Sequence, residues 1–472
     1  FPMTSSDIEK IHEASLSVLG RIGVAFHSPM ALEIFRRHGF KTEEKVVRFS
    51  TKEVENALGS APSQFTLFAR NPEKNLSIGG GDTAFAPGYG APDLITDRLT
   101  RRRATLADYV NFCRLAHTSD IVNVTGFLSV DPSDLPPQNY HLDMLYNNLI
   151  LSDQPFIGSP LSGQTAQDAV NMAGIAFGRR DLPVMASIIN SLQPLQFSAE
   201  MTESMIVFAR HNQPIIVMGG GMMGATAPLR LSGLLCIQNA VVLAGITLAQ
   251  LVRPGCPVIY GVGGSPMDMQ TGAYYTGGPE LSRAIRIGVA IAKHYNLPCR
   301  GGGALTDSHQ MDFQAGAQSA FCIGQTLAGH LDFIIHSCGM LSSYMAMSYE
   351  KFIADEDLWR HALYLEKPLD LTDLDQEVEA IREAGVGGQF MTQERTVKFC
   401  RTELFRSPLM NRLPFEKWET VKNRTLMEKA SSLVRERLEC YQPPPIEKDI
   451  MKGLSDYVRA RKKEINQSSQ RV

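Results

Sequence analysis

The chain has 472 residues, more than one ordinary domain needs and about right for one β/α barrel with extensions. Hydrophobic residues make up 44% and charged residues 20%, so a large core can be buried, and a net charge of −3 argues against a nucleic-acid or acidic-membrane partner. No apolar run reaches the roughly 18 residues that cross a bilayer, residues Phe1-Pro2-Met3-Thr4 lack the character of a signal peptide, and the eight cysteines form no CxxC pair, so reduced thiols and a cytoplasmic location are expected.

Thr4 with Asp7 reads as a helix cap with a first-turn acid, and Ile8, Ile11, Leu16 and Leu19 follow a helical face. Ser28-Pro29 opens a second helix that Gly39 stops. Val46–Phe49 and Phe65–Phe68 read as short strands, so residues 1–81 form an α+β extension closed by Gly79-Gly80-Gly81. Eight apolar runs follow: Thr83–Ala86, Val122–Leu128, Phe156–Ser159, Val184–Asn190, Ile215–Gly219, Val258–Gly261, Pro298–Gly301 and Leu331–His336. Between them stand the helical stretches Leu106–His117, Tyr140–Leu151, Ala166–Ala176, Ala199–Arg210, Ser232–Gln250, Pro279–Lys293 and Gln314–Ala328. Strands alternating with helices predict parallel βαβ units, and eight of them predict an eight-stranded parallel β/α (TIM) barrel over 82–342. Residues 343–472 read as a C-terminal helical extension with a basic, polar tail expected to fray.

In such a barrel the site lies at the C-terminal ends of the strands. Those ends are rich in glycine, as in Gly219-Gly220-Gly221, Gly263-Gly264 and Gly301-Gly302-Gly303. Tight turns explain any one glycine, whereas repetition around the rim suggests an open mouth that a bulky body can approach. No P-loop lysine and no dinucleotide fingerprint accompany them. Aromatic residues gather there too: Phe85, Tyr89, Phe127, Tyr260, Tyr274, Tyr275, Phe313 and Tyr344. Singly each reads as packing; together they suit a cation that donates no hydrogen bond. After the seventh run, Asp307-Ser308-His309-Gln310-Met311-Asp312 nearly matches Asp-x-His-x-x-Gly, the pattern that offers a histidine to cobalt, but Asp312 replaces the glycine and no corrinoid-binding unit comes after it. His309, His336, Cys299 and Cys338 lack the spacing of a zinc site, and no metal is expected. No Gly-x-Ser-x-Gly elbow and no pair of strand-end carboxylates supports acyl transfer or glycoside hydrolysis.

The opening Thr4–Val24, the stretch Phe85-Ala-Pro-Gly-Tyr-Gly, and Gly301-Gly-Gly-Ala-Leu-Thr-Asp307 with Asp312-Phe-Gln-Ala-Gly resemble the trimethylamine methyltransferase family. The resemblance runs from about residue 3 to 440. It implies a β/α barrel that methylates the cobalt of a separate, cognate corrinoid protein, with no tightly bound cofactor of its own. Archaeal trimethylamine enzymes of the family carry pyrrolysine; this chain has only ordinary residues, so it resembles the non-pyrrolysine branch. The implied donor is then a quaternary amine, glycine betaine first, giving dimethylglycine. By position, Asp307, His309 and His336 are the expected catalytic-site residues, the two histidines as carboxylate contacts and Arg300 a weaker choice because it precedes the rim. Tyr89, Phe127, Tyr260, Tyr274 and Phe313 are the expected substrate-binding residues. A homo-oligomer is expected. The alternatives are a barrel that binds a quaternary amine without turnover, and a zinc-dependent corrinoid methyltransferase.

Overall fold

Seven of the apolar runs become strands of one parallel sheet: β1 Ala84–Phe85, β2 Phe156–Ile157, β3 Met185–Asn190, β4 Ile215–Met218, β5 Val258–Gly261, β6 Cys299–Gly301 and β7 Phe333–Ile334. Their spatial order is β1-β7-β6-β5-β4-β3-β2. In register, Ser187 lies opposite Ile215, Ile215 opposite Val258, Tyr260 opposite Cys299, Arg300 opposite Phe333 and Ile334 opposite Phe85. The computed structural model describes residues 3–96, 100–422 and 425–469. These strands are buried along nearly their whole length, which is why they read as unbroken apolar runs rather than alternating ones.

The run Val122–Leu128 is not a strand; it contributes a single parallel bridge, Thr125 to Phe156. The reason is Asn123. Its side-chain Oδ1 accepts from the Phe85 N–H at 2.7 Å and its Nδ2 donates to the Thr83 carbonyl at 3.0 Å, so an amide side chain takes over part of the pairing along β1 while the Asn123 N–H keeps a backbone bond to Phe85 O at 3.0 Å. Beyond it the Val124 N–H reaches Phe85 O at 3.2 Å, and Thr125 exchanges bonds with Pro155 O and Ile157 N at 2.9 Å each. Residues 123–125 thus lie between the two outermost strands of the sheet.

Eight helices alternate with or follow the strands: α1 Leu106–His117, α2 Tyr140–Leu151, α3 Gly163–Phe177, α4 Ala199–Arg210, α5 Leu231–Val252, α6 Pro279–His294, α7 Phe313–Gly329 and α8 Tyr349–Leu365. Thr105, Ser162, Ser198, Asp312 and Ser348 cap five of them, each side-chain oxygen accepting an otherwise orphaned N–H of the first turn. Contrary to the expectation that no apolar run is long enough to cross a bilayer, α5, with 22 residues and mean hydropathy 1.8, has the length and composition to do so; 72% of its most apolar window is buried inside the protein, the mark of a core helix.

The N-terminal helix Ser5–Arg21 starts at Thr4 in a reciprocal capping box with Asp7. It is joined to α5 by a buried polar chain: Asn239 Nδ2 donates to Ser15 Oγ at 3.0 Å and to Tyr295 Oη at 2.8 Å, and its Oδ1 accepts from Tyr260 Oη at 3.0 Å. Val24–Phe26 pairs antiparallel with Val46–Arg48 and parallel with Gln196–Phe197, just beyond β3. At the other end, the basic, polar stretch expected to fray is helical as far as Ser469. The helix Lys448–Ser469 is held by buried Asp168, which takes Tyr457 Oη at 2.7 Å, Arg461 Nε at 2.9 Å and His141 Nε2 at 3.0 Å. Residues 470–472 of the expected tail lie outside the described residues.

Candidate functional site

Alternate residues of a strand face opposite sides, and one side of the strands' C-terminal ends encloses a cavity of about 350 Å³. Asn190 from β3, Met218 from β4 and Arg300 from β6 line it, with Tyr89, His336 and the ring wall of Tyr274 and Tyr344 from the loops above. A larger recess of about 620 Å³, lined by Thr83, Pro298 and Leu331, opens where the chain enters the strands. In parallel α/β sheets the chemistry gathers at the carboxyl ends, and the smaller cavity is the one that holds an uncompensated charge.

That charge is Arg300. The residue is 7% exposed, and the polar contacts of its guanidinium are Met218 Sδ and the Val262 carbonyl, each at a long 3.4 Å from Nη1. Nε has no partner. Burial pulls its pKa down, and the groups that oppose this are Tyr344, Cys299 and Tyr274, none of them a carboxylate. An unpaired buried cation costs several kcal/mol, an arrangement that an anionic ligand group would complete with charge-assisted hydrogen bonds.

His336 stands beside it at φ +65°, a left-handed conformation uncommon for a residue with a Cβ. Its carbonyl accepts from the Ala304 N–H at 2.8 Å, and a Cβ on Gly303 would sit 2.5 Å from that oxygen, so glycine is required there. Nδ1 accepts from the Tyr89 N–H at 3.2 Å, which leaves the ring proton on Nε2. Burial, then the Arg300 charge, hold the imidazole well below its ordinary pKa, so it is neutral at physiological pH. Its ring packs against Tyr344 at 4.6 Å between centroids, and Tyr344 against Tyr274 at 6.3 Å. Burial pushes the Tyr274 hydroxyl up to about 12 and Tyr344 well above the usual phenol value, so both rings stay neutral.

Tyr344 ends three consecutive left-handed residues, Ser342, Ser343 and Tyr344, at φ 55°, 52° and 75°. Such residues cost about 1–3 kcal/mol each and persist only where neighbours over-determine them. Here the Ser342 and Ser343 N–H groups donate to Ser308 O and Thr306 O at 2.9 and 3.1 Å. Asp307 completes the clamp. Its carboxylate accepts from the Thr276 and Gly277 N–H groups at 2.5 and 2.9 Å and from Ser343 Oγ at 2.7 Å, tying together the loops that carry Tyr274 and Tyr344.

Of the sequence-predicted site residues, the cavity gathers Tyr89, Tyr274 and His336. Asp307 lies outside the cavity lining, its carboxylate engaged by Thr276, Gly277 and Ser343 in the loops that form the wall. His309 is exposed and bonds Ser342 Oγ at 2.8 Å outside the cavity lining. Tyr260 is fully buried on the helix-facing side of β5, its hydroxyl spent on Asn239. Phe127 is fully buried away from the cavity, and Phe313, at 91% exposure, begins α7 in solvent. Arg300, the weaker expected carboxylate contact, and Tyr344, expected only as one of the rim aromatics, line the cavity as well. An arginine inside an otherwise apolar strand was the signal for the first, since such a residue is almost never buried without a partner. His309, His336, Cys299 and Cys338 do not converge, and among the described residues no three His, Cys, Asp or Glu side chains are placed to hold a metal.

The family model described as trimethylamine methyltransferase (MTTB) matches residues 2–466. A glycine betaine methyltransferase of Desulfitobacterium hafniense (strain Y51) is 38% identical over 98% of this chain and 98% of its own length. A proline betaine:corrinoid methyltransferase of Eubacterium limosum is 32% identical over 95% and 96%. In fold, the chain is similar to the crystal structure of the monomethylamine methyltransferase of Methanosarcina barkeri, with a TM-score of 0.52, 11% identity, and coverage of 94% of this chain and 89% of that one.

Proposed function

The chain belongs to the trimethylamine methyltransferase family, and we propose that it moves a methyl group from a betaine, glycine betaine first, to the Co(I) of a separate corrinoid protein in the cytoplasm. In this reading the segment 122–125 closes the parallel sheet into an eight-membered barrel over 82–342, with 1–81 and 343–472 as its extensions, and the barrel mouth is where the two substrates meet. The single observation that carries the donor assignment is Arg300, buried, cationic and unpaired, in a cavity walled by tyrosines. A betaine is a quaternary ammonium joined to a carboxylate. Its carboxylate pairs with Arg300, the neutral His336 Nε2–H adds a donor, and Tyr89, Tyr274 and Tyr344 face the trimethylammonium.

The chemistry asks little else of the protein. The Co(I) electron pair forms the cobalt–carbon bond, the N–CH3 bond breaks, and its pair stays on nitrogen. Cobalt rises formally to Co(III), and a neutral tertiary amine, dimethylglycine from glycine betaine, leaves without a proton transfer. The ammonium loses its charge along this path, so the tyrosine wall favours binding and alignment more than the barrier. The Arg300 charge works in the other direction, because its repulsion of the ammonium fades as the methyl departs. Orientation and exclusion of water supply the rest. Protonated trimethylamine offers no carboxylate for Arg300, and if its N–H proton is lost in the site the departing group becomes an amide anion instead of a neutral amine.

The test is methyl transfer to free cob(I)alamin from glycine betaine, proline betaine, carnitine, tetramethylammonium and trimethylamine, with the demethylated product identified. Turnover of glycine betaine to dimethylglycine, with trimethylamine inert, is the expected result. Turnover of trimethylamine at a comparable rate would sink the donor assignment.

A further inference from the structure

Residues 366–422, which connect α8 to the helix Leu426–Glu439, are covered least by the rest of their own chain. The connection leaves the end of α8 and returns to the same helix. Ser407 Oγ donates to the Asp357 carboxylate at 2.6 Å, Tyr364 Oη donates to the Glu403 carbonyl at 2.7 Å, and the Phe405 ring lies 4.4 Å from that of His361. Between these anchors the arm is held by its own residues. The helix Leu374–Ala384 is followed by the short helix Glu394–Phe399, whose Arg395 pairs with Glu377, and Gln393 Nε2 donates to the Ala380 carbonyl at 2.8 Å. Ala380 and Leu409 are the only buried residues in the arm.

What the arm exposes is apolar. Leu374, Val378 and Ile381 stand at i, i+4 and i+7, the stripe by which a helix faces a core, and they are 52%, 58% and 58% exposed. Met391 and Val397 extend this surface. Half of the exposed large hydrophobic side chains among the described residues lie in this one segment. They leave on the order of 1,000 Å² of apolar surface in water, where a stable interface takes roughly 800 Å² from each partner. The largest apolar patch of a typical monomer is only about 300–600 Å².

The charge of the arm is divided. Residues 366–394 hold eight acidic and two basic side chains, and residues 395–422 hold seven basic and three acidic ones. Arg395 is taken by Glu377 and Asp373 of its own arm, whereas Asp375 and Glu383 in the first half and Arg401 and Arg406 in the second are exposed. Two copies related by a two-fold axis present the same patch to each other, so the patch has to complement itself. An acidic half followed by a basic half does so when two arms lie antiparallel, with the apolar stripe in the middle of the contact. A different protein would need matching halves of its own; a second copy has them already.

We infer that residues 366–422 bind the same segment of a second copy of this chain, the acidic half of each arm against the basic half of the other. The experiment reverses the two halves separately. Asp375→Lys with Glu383→Lys makes one variant and Arg401→Glu with Arg406→Glu the other. Each full chain is weighed by sedimentation equilibrium at micromolar concentration, alone and mixed one to one, with circular dichroism as the check on folding. Wild type should sediment as an even number of chains. Either variant alone sets like charges against each other and should raise the dissociation constant about a hundredfold or more, which halves the mass of the assembly. The mixture restores opposite charges at both ends of the contact and should return to the wild-type mass. Val378→Asp, in the middle of the stripe, should give the same loss without altering either charged half. Wild type that sediments as a single chain overturns the inference, because the arm then serves a different protein. Variants that keep the wild-type mass overturn it by placing the contact elsewhere. A mixture that stays at the mass of the separate variants overturns the pairing of unlike halves.

Discussion

Two buried cations, one on each side of the same loop, are treated in opposite ways. Lys351 on α8 is 2% exposed, and its ammonium is fully provided for: it pairs with Asp355 and donates to Ser319 Oγ at 2.9 Å and to the Ala304 carbonyl at 3.4 Å. Its neighbour Glu356 obeys the same rule, taking Arg437 Nη1 and Ser119 Oγ at 2.5 Å each. Arg300, a few residues from Ala304, has no such company. Asp357 Oδ1 is buried without a partner as well, so what sets Arg300 apart is its place: a buried cation with no carboxylate beside it, lining a cavity that a ligand can enter.

Substitution at the two cations sharpens that contrast most. Lys351→Met leaves Asp355 buried without its cation and should lower stability by about 3–5 kcal/mol. Burial already pushes the Asp355 carboxyl up to about 6. A raised folded-state pKa adds stability below the unfolded value that is lost as pH rises through about 6, so the Lys351→Met deficit should be largest above pH 6 and shrink in acid. Chemical denaturation at several pH values measures it. Arg300→Met should do the reverse, holding or raising stability without ligand while costing about 2–5 kcal/mol, roughly thirtyfold or more, in betaine affinity. If Arg300→Met unfolds the protein and leaves betaine binding intact, the contrast collapses.

The tyrosines give a smaller version of the same test. Tyr89→Ala should weaken betaine use by roughly tenfold to a hundredfold, mostly in KM, since a cation–π contact in a dry site is worth about 2 kcal/mol. Tyr260→Phe should cost about 1 kcal/mol of stability, through the bond to Asn239, and leave betaine kinetics unchanged. The smallest expected effect is at His336. An ordinary histidine gains its proton near pH 6.5; His336 is held well below that by burial and by Arg300. Glycine betaine affinity measured by calorimetry should therefore stay flat between about pH 8 and 6, and a break near 6.5 that disappears in His336→Gln would show that the imidazole does titrate.

Helices were the most legible part of the chain. Leu106–His117, Tyr140–Leu151 and Ala199–Arg210 begin and end where the apolar pattern places them, because that signal is local. The run Val122–Leu128 looks like a strand to any local rule; Asn123 takes over part of its pairing through a side chain that finds Thr83 and Phe85 only in three dimensions. The aromatic set was legible as a set and not as individuals. Tyr260 and Tyr344 carry the same ring at the edge of the same mouth, yet one faces the helix layer and the other the cavity.

The sequence by itself determined the features that local periodicity and composition set: alternating strands and helices, glycine-rich strand ends with aromatic residues near them, and a nearly balanced net charge of −3. It also held the residues that carry the family resemblance. Only the tertiary structure decided which side chains share a cavity. A strand sends successive residues to opposite faces, so a shift of one position separates ligand contact from core packing. It also decided that Arg300 has no partner, because whether a buried charge is satisfied depends on distances between residues far apart along the chain.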